Sequence, residues 1–152
     1  MVTSAQTNRT FMEYARALID SFVLEKQLWL ILLYTDYMPI HLKGINKEKQ
    51  LSLLKQKYRF WTMKNIFKEV SKKVSFGKEL TAKLKKAIEL RNYLVHHFPM
   101  EYMVQIINPQ KAVIACEQLE RHQLEFRAIH KEVLEMFNVI EKEFQAITKQ
   151  SP

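Results

Sequence analysis

Glycine occurs twice and proline four times in 152 residues, too few turn formers for a many-stranded sheet. The same scarcity excludes a glycine-rich phosphate loop, since Gly44 and Gly77 are the whole supply. Cysteine occurs once, at Cys116, so no disulfide can close within the chain and a structural zinc site of the usual kind is excluded. Its neighbours Ala112, Ile114 and Ala115 predict a small buried hydrophobe, with no base evident beside it to make a nucleophile. Glu-x-x-His appears nowhere, which argues against the di-iron carboxylate bundles. Long apolar runs are also missing. The most apolar stretch, Leu28 to Tyr34, has seven residues and follows Glu25 and Lys26, against the roughly 20 that a bilayer crossing requires. No apolar run follows a basic start as a secretory leader needs. The expectation is a reducing, cytoplasmic setting, with no membrane attachment, no metal and no cofactor.

What is present is cationic charge, unevenly placed. From Lys43 to Arg91 there are 15 Lys and Arg against 4 Glu, a balance of +11, whereas residues 1–42 carry −1 and residues 92–152 carry −2. A basic middle third can neutralise a run of phosphates, and counterion release would make such binding strongly salt-dependent. Solubility alone is the competing account of Lys-rich helices.

Apolar residues recur at helical spacing along nearly the whole chain. Phe11, Ala15, Leu18, Phe22 and Trp29 predict a first amphipathic helix that Pro39 and Gly44 should close. Asn46 is a candidate cap for the next. There, Leu51, Leu54, Tyr58 and Trp61 form one stripe and Phe60, Met63, Phe67, Val70 and Val74 another, so this helix is either kinked or in two pieces. Leu80, Leu84, Ala87, Ile88, Leu94, Val95 and Phe98 predict a third, running to Pro99. Glu101 to Asn108 reads as loop. Leu119, Phe126, Ile129, Val133, Met136, Ile140 and Ile147 predict a long last helix whose stripe needs a partner surface. The fold class is therefore all-α, an antiparallel bundle of four to five helices. At this length we expect one domain, residues 1–152, with residues 1–8 and 149–152 flexible.

The segment Glu89-Leu90-Arg91-Asn92-Tyr93-Leu94-Val95-His96-His97-Phe98 departs from this generic pattern. At about 100° per residue, Arg91 falls on the apolar arc, which requires either a tailored acceptor or a stripe that opens onto a cleft or a second subunit. Lys85, Glu89, Asn92 and His96 fall together on one flank, and His97 on the opposite flank with Leu90 and Tyr93. His96 is thus the better candidate for chemistry. An imidazole titrating near neutrality exchanges protons, a guanidinium holds a phosphate with two prongs, and an amide orients either.

The words Arg91-Asn92-Tyr93-Leu94-Val95-His96 resemble the signature of the HEPN superfamily, an arginine with a polar residue directly after it and, beyond four to six intervening residues, a histidine. They look most like the HEPN ribonuclease toxins paired with minimal nucleotidyltransferases. The resemblance covers about ten residues and the helical architecture. It implies a homodimer that cleaves RNA without metal at a composite site, leaving 2′,3′-cyclic phosphate and 5′-hydroxyl ends. Arg91, His96 and Asn92 would be the catalytic set, with Glu89, His97, Lys85 and Lys86 supporting it or binding RNA. A toxin–antitoxin, phage-defence or stress-response setting follows, with an antitoxin or nucleotidyltransferase as a further partner. Phe98 stands where those toxins usually carry the tyrosine that the antitoxin modifies, and Tyr102 lies beyond Pro99. Neutralisation by that chemistry is therefore not expected here. The rival reading is a HEPN-like bundle without nuclease activity that binds nucleotide, RNA or a protein. A third is an unrelated helical regulator with a chance motif. His41, His122 and His130 have no partners at ligand spacing and read as ordinary.

Overall fold

The computed structural model describes residues 4–44, 46–102 and 108–149, which form helices and no strand. Six helices are seen among them: α1 (Ser4–Leu42), α2 (Lys47–Tyr58), α3 (Met63–Val70), α4 (Gly77–His96), α5 (Phe98–Tyr102) and α6 (Pro109–Lys149). The all-α class is as expected, and the second predicted helix is in two pieces, α2 and α3. None of these helices is long and apolar enough to cross a membrane.

Local chemistry accounts for several boundaries. Gly44 follows α1 with φ of 69°, a left-handed conformation that glycine adopts without penalty. Asn46 precedes α2, although its side chain makes no capping bond. The Thr62 side chain accepts from the Asn65 amide at 3.3 Å and so caps α3. Asn108 caps α6 by accepting from the Gln110 amide at 3.0 Å and the Lys111 amide at 3.5 Å, and Pro109 takes the first helical position, where no N–H is required.

The prolines act differently from expectation in two places. Pro39 lies inside α1 rather than closing it. With so few residues of helix beyond it, little hydrogen bonding is disturbed, and its carbonyl still accepts from the Lys43 amide at 3.3 Å. Pro99 sits in the first turn of α5 instead of ending the previous helix, which stops at His96. Of the predicted loop, Glu101 and Tyr102 belong to α5 and residues 103–107 lie outside the described residues. Residues 4–8 begin α1 and Lys149 ends α6, whereas 1–3 and 150–152, the remainder of the segments expected to be flexible, lie outside the described residues.

The chain divides into two compact units, Met1–Leu24 with Lys78–His130, and Glu25–Gly77 with Lys131–Pro152. In the first, the core holds Leu84, Ala87 and Leu94 of α4, Ala17 and Leu24 of α1, and Ala112, Ala115, Leu119 and Phe126 of α6, all fully buried. The Tyr14 hydroxyl donates to the Leu94 carbonyl at 2.7 Å and Phe22 lies against Arg91, so α1 and α4 are antiparallel. Thr10 meets the Ala112 carbonyl, Glu13 meets Gln123 and Asp20 meets Arg127; α1 and α6 therefore run parallel, contrary to the fully antiparallel expectation. Only α4 returns between them in this unit, and two reversals restore the original direction.

The α1 face turned inward is also not the predicted one. Phe11 and Phe22 are 41% and 47% exposed, while Thr10, Glu13 and Ser21 are buried. These polar groups are satisfied: Thr10 donates to the Gln6 and Ala112 carbonyls, Ser21 to the Leu18 carbonyl, and the Glu13 carboxylate accepts from Arg16 and Gln123.

The second unit has an aliphatic and aromatic core of Leu28, Ile31, Leu32, Tyr58, Met63, Ile66, Val70 and Val133. Tyr34 meets Phe137 and Phe144 edge to face at 5.1 and 6.0 Å. Asp36 accepts from both the Tyr58 hydroxyl and the Lys73 ammonium. Phe60, predicted to share the buried stripe with Met63 and Phe67, instead stands 85% exposed. The turn after Tyr58 changes the helical phase, so one stripe cannot continue through it.

Candidate functional site

Helix α4 turns Leu80, Leu84, Ala87, Ile88 and Leu94 into the first unit. On the far side Lys85, Glu89, Asn92 and His96 are all exposed, as steps of four, three and four place them along one flank. His96 is the last residue of the helix. Its end is held in place, because the Tyr14 hydroxyl takes the Leu94 carbonyl at 2.7 Å and the His97 amide takes the Tyr93 carbonyl at 2.9 Å.

Arg91 is half-buried. Its guanidinium lies 5.9 Å from the ring centroid of Phe22 and donates to Asn92 Oδ1 at 3.4 Å. Asn92 thus touches the arginine and shares its flank with the histidine. Five residues along a helix turn Arg91 about 140° from His96, so within one chain the guanidinium and imidazole occupy different sides of α4. Phe98 is 2% exposed and stacked between Tyr14 and Tyr102, with centroids at 4.9 and 4.7 Å. It is a core side chain that seats α5 against α1.

The other flank of α4 is engaged differently. Lys86, a candidate RNA contact, is ion-paired with Glu125 at 2.7 Å, and this bond raises the lysine pKa. The exposed His97 stacks on Tyr93 at 6.3 Å. The Tyr93 hydroxyl donates to Glu101 Oε2 at 2.7 Å; burial first, and then that carboxylate, push the phenol pKa far up.

Sequence reasoning missed a cavity of about 470 Å³ on this flank, lined by Leu90, Tyr93, Tyr102, Gln118, Arg121, His122 and Glu125. Burial depresses the His122 pKa, with Glu125 opposing it, so the imidazole is neutral at pH 7. The spacing of Gln118, His122 and Glu125 along one face of α6 was the available signal, but only the packing of α4 and α5 makes that face concave. Cys116 is buried, and burial raises its thiol pKa, which leaves it unreactive. Among the described residues no cluster of three or more His, Cys, Asp or Glu side chains could hold a metal ion.

The chain matches no family model, no curated protein and no solved structure.

Proposed function

We propose that this chain is a metal-independent endoribonuclease of the HEPN type, working as a homodimer. The observation that carries the reading is the exposed Asn92–His96 flank at the anchored end of α4, with Arg91 linked to it through Asn92. His96 exchanges the proton of the ribose 2′-hydroxyl or the leaving 5′-oxygen, and Arg91 stabilises charge on the phosphate. Attack by the 2′-oxygen breaks the phosphorus–5′-oxygen bond and leaves a 2′,3′-cyclic phosphate and a 5′-hydroxyl.

Two features support the dimer. Arg91 and His96 lie on different sides of α4, so a second copy is the economical way to bring a guanidinium and an imidazole to one phosphate. Phe11, Met12, Ile19, Phe22 and Val23 of α1 are exposed and fall within about 120° of arc. This apolar stripe borders Arg91 at Phe22 and offers a self-complementary surface.

The test is cleavage of mixed cellular RNA in EDTA by wild type, His96→Ala and Arg91→Ala proteins whose helicity is checked by circular dichroism. We expect cutting by wild type and a roughly 100- to 10,000-fold loss in His96→Ala. Cutting that survives His96→Ala, or that EDTA abolishes, overturns the mechanism. The half-burial of Arg91 against Phe22 favours a second reading, a HEPN-like bundle that binds without cutting. Absence of cutting by a folded dimer selects it.

A further inference from the structure

The second unit carries charge that the site on α4 does not use. Residues 47–73 contain nine Lys and Arg against two Glu. Within the unit, Lys72 pairs with Glu69 at 2.7 Å and Lys73 with Asp36. Lys47, Lys49, Lys55, Lys57, Arg59, Lys64 and Lys68 are exposed and have no carboxylate partner among the described residues. Lys64, Lys68 and Lys72 follow one another at steps of four along one exposed row, and Lys55 and Arg59 do the same at the end of α2. Lys57 of α2 and Lys68 of α3 both act on Glu69, whose carboxyl is held below the usual range by its bond to Lys72 and also by their fields.

At the junction stands Phe60, 85% exposed. A single exposed phenylalanine is ordinary, but this one is presented by a fixed turn. Tyr58 before it is 1% exposed and bound to Asp36. Met63 after it is fully seated, and Thr62 caps α3 between them. The Trp61 amide closes the turn on the Tyr58 carbonyl at 3.2 Å. Arg59 places its guanidinium over the Phe60 ring, 5.3 Å from its centroid, so a cation lies against one π-face of a largely exposed ring.

We propose that α2, the turn at residues 59–62 and α3 form a binding surface for single-stranded RNA, with Phe60 stacking on an unpaired base and Lys55, Lys57, Arg59, Lys64 and Lys68 contacting phosphates. The cations fit any polyanion, but the ring selects a strand whose bases are free to stack. A duplex hides its base faces, and a phosphorylated protein has none. The proposal deepens the reading of the chain as an RNA-acting protein, but it is read by binding and not by cutting.

The test uses the full His96→Ala chain in EDTA and a fluorescent oligouridylate of about 12 nucleotides, a length within the usual site size of such surfaces. Affinity should fall with salt at a log–log slope near −0.7 for each phosphate held. Phe60→Ala should weaken binding roughly 5- to 150-fold, the equivalent of one lost stack, and Phe60→Trp should restore it. Lys64→Gln with Lys68→Gln should flatten the slope by about 1.4 at unchanged helicity. Equal binding by Phe60→Ala, an unchanged slope in the lysine variant, or equal affinity for an RNA duplex or for anionic phosphatidylserine vesicles overturns the proposal. If wild type cuts RNA while these variants bind normally, the surface falls and the nuclease stands. If wild type never cuts but the variants bind as expected, the nuclease falls and the surface stands.

Discussion

In the first unit ten Lys and Arg face eight Asp and Glu, and the pairs seen there include Arg9 with Glu120, Arg16 with Glu13, Lys83 with Glu79, Lys86 with Glu125 and Arg127 with Asp20. In the second, fourteen face eight, and the pairs seen there include Lys72–Glu69 and Lys73–Asp36. The difference is one of use. Paired surface charges add little stability, but Arg9, Lys86 and Arg127 each join two helices and so favour one alignment over its neighbours. Buried polar bonds such as Gln123 to Glu13 reinforce that choice. The second unit obtains its order from apolar and aromatic packing around one carboxylate, Asp36, and leaves Lys47, Lys49, Lys55, Lys57, Lys64 and Lys68 in solvent. Self-repulsion there is the cost of a surface that an anionic partner can neutralise.

Three measurements probe this contrast, the largest effect first. Asp36→Ala removes the acceptor for both the Tyr58 hydroxyl and the Lys73 ammonium, and should cost roughly 3 kcal/mol. Native-state hydrogen exchange should rise in α3 more than in α4; a loss below about 1 kcal/mol would mean that apolar packing alone carries the unit. Gln123→Ala strips the Glu13 carboxylate and carbonyl of a donor seen at 2.7 and 3.2 Å. Urea unfolding should register about 2 kcal/mol of lost stability. No change would show that polar bonds do not hold α1 on α6.

The third effect is smaller and depends on pH. Burial lowers the folded-state pKa of His122 below its ordinary 6.5. Between those two values the unfolded chain binds more protons, so this contribution to stability is complete above pH 6.5 and is lost as pH falls toward the depressed value. His122→Gln should flatten the decline of unfolding free energy between about pH 7 and 5 relative to wild type. Identical slopes would place His122 in solvent rather than in the cavity wall.

Much of the local structure could be read directly from the chain. The scarcity of glycine and proline implied helices throughout, and steps of four, three and four put Lys85, Glu89, Asn92 and His96 on one open flank of α4. Arg91 fell among apolar residues in the projection and is half-buried in the fold. The predicted inner stripe of α1 failed because periodicity ranks residues by polarity. Thr10, Glu13 and Ser21 nevertheless go inside, and Thr10 and Glu13 find partners more than a hundred residues away at Ala112 and Gln123. Phe60 was misplaced for a related reason: an apolar residue in a turn has no helical phase, and only the seating of Tyr58 and Met63 on either side decides which way it points.

Helical content, the open flank of α4 and the concentration of cations between Lys43 and Arg91 were determined by the sequence itself, since each depends on neighbours within a turn or two of helix or on a plain count. The parallel course of α1 and α6 in the first unit, the hold of Tyr14 on the end of α4, the cavity beside His122 and the exposure of Phe60 were decided by tertiary structure alone. Each of these requires contacts between segments far apart in the chain, or the absence of such contacts, and no local pattern of side chains encodes which distant surface will be met.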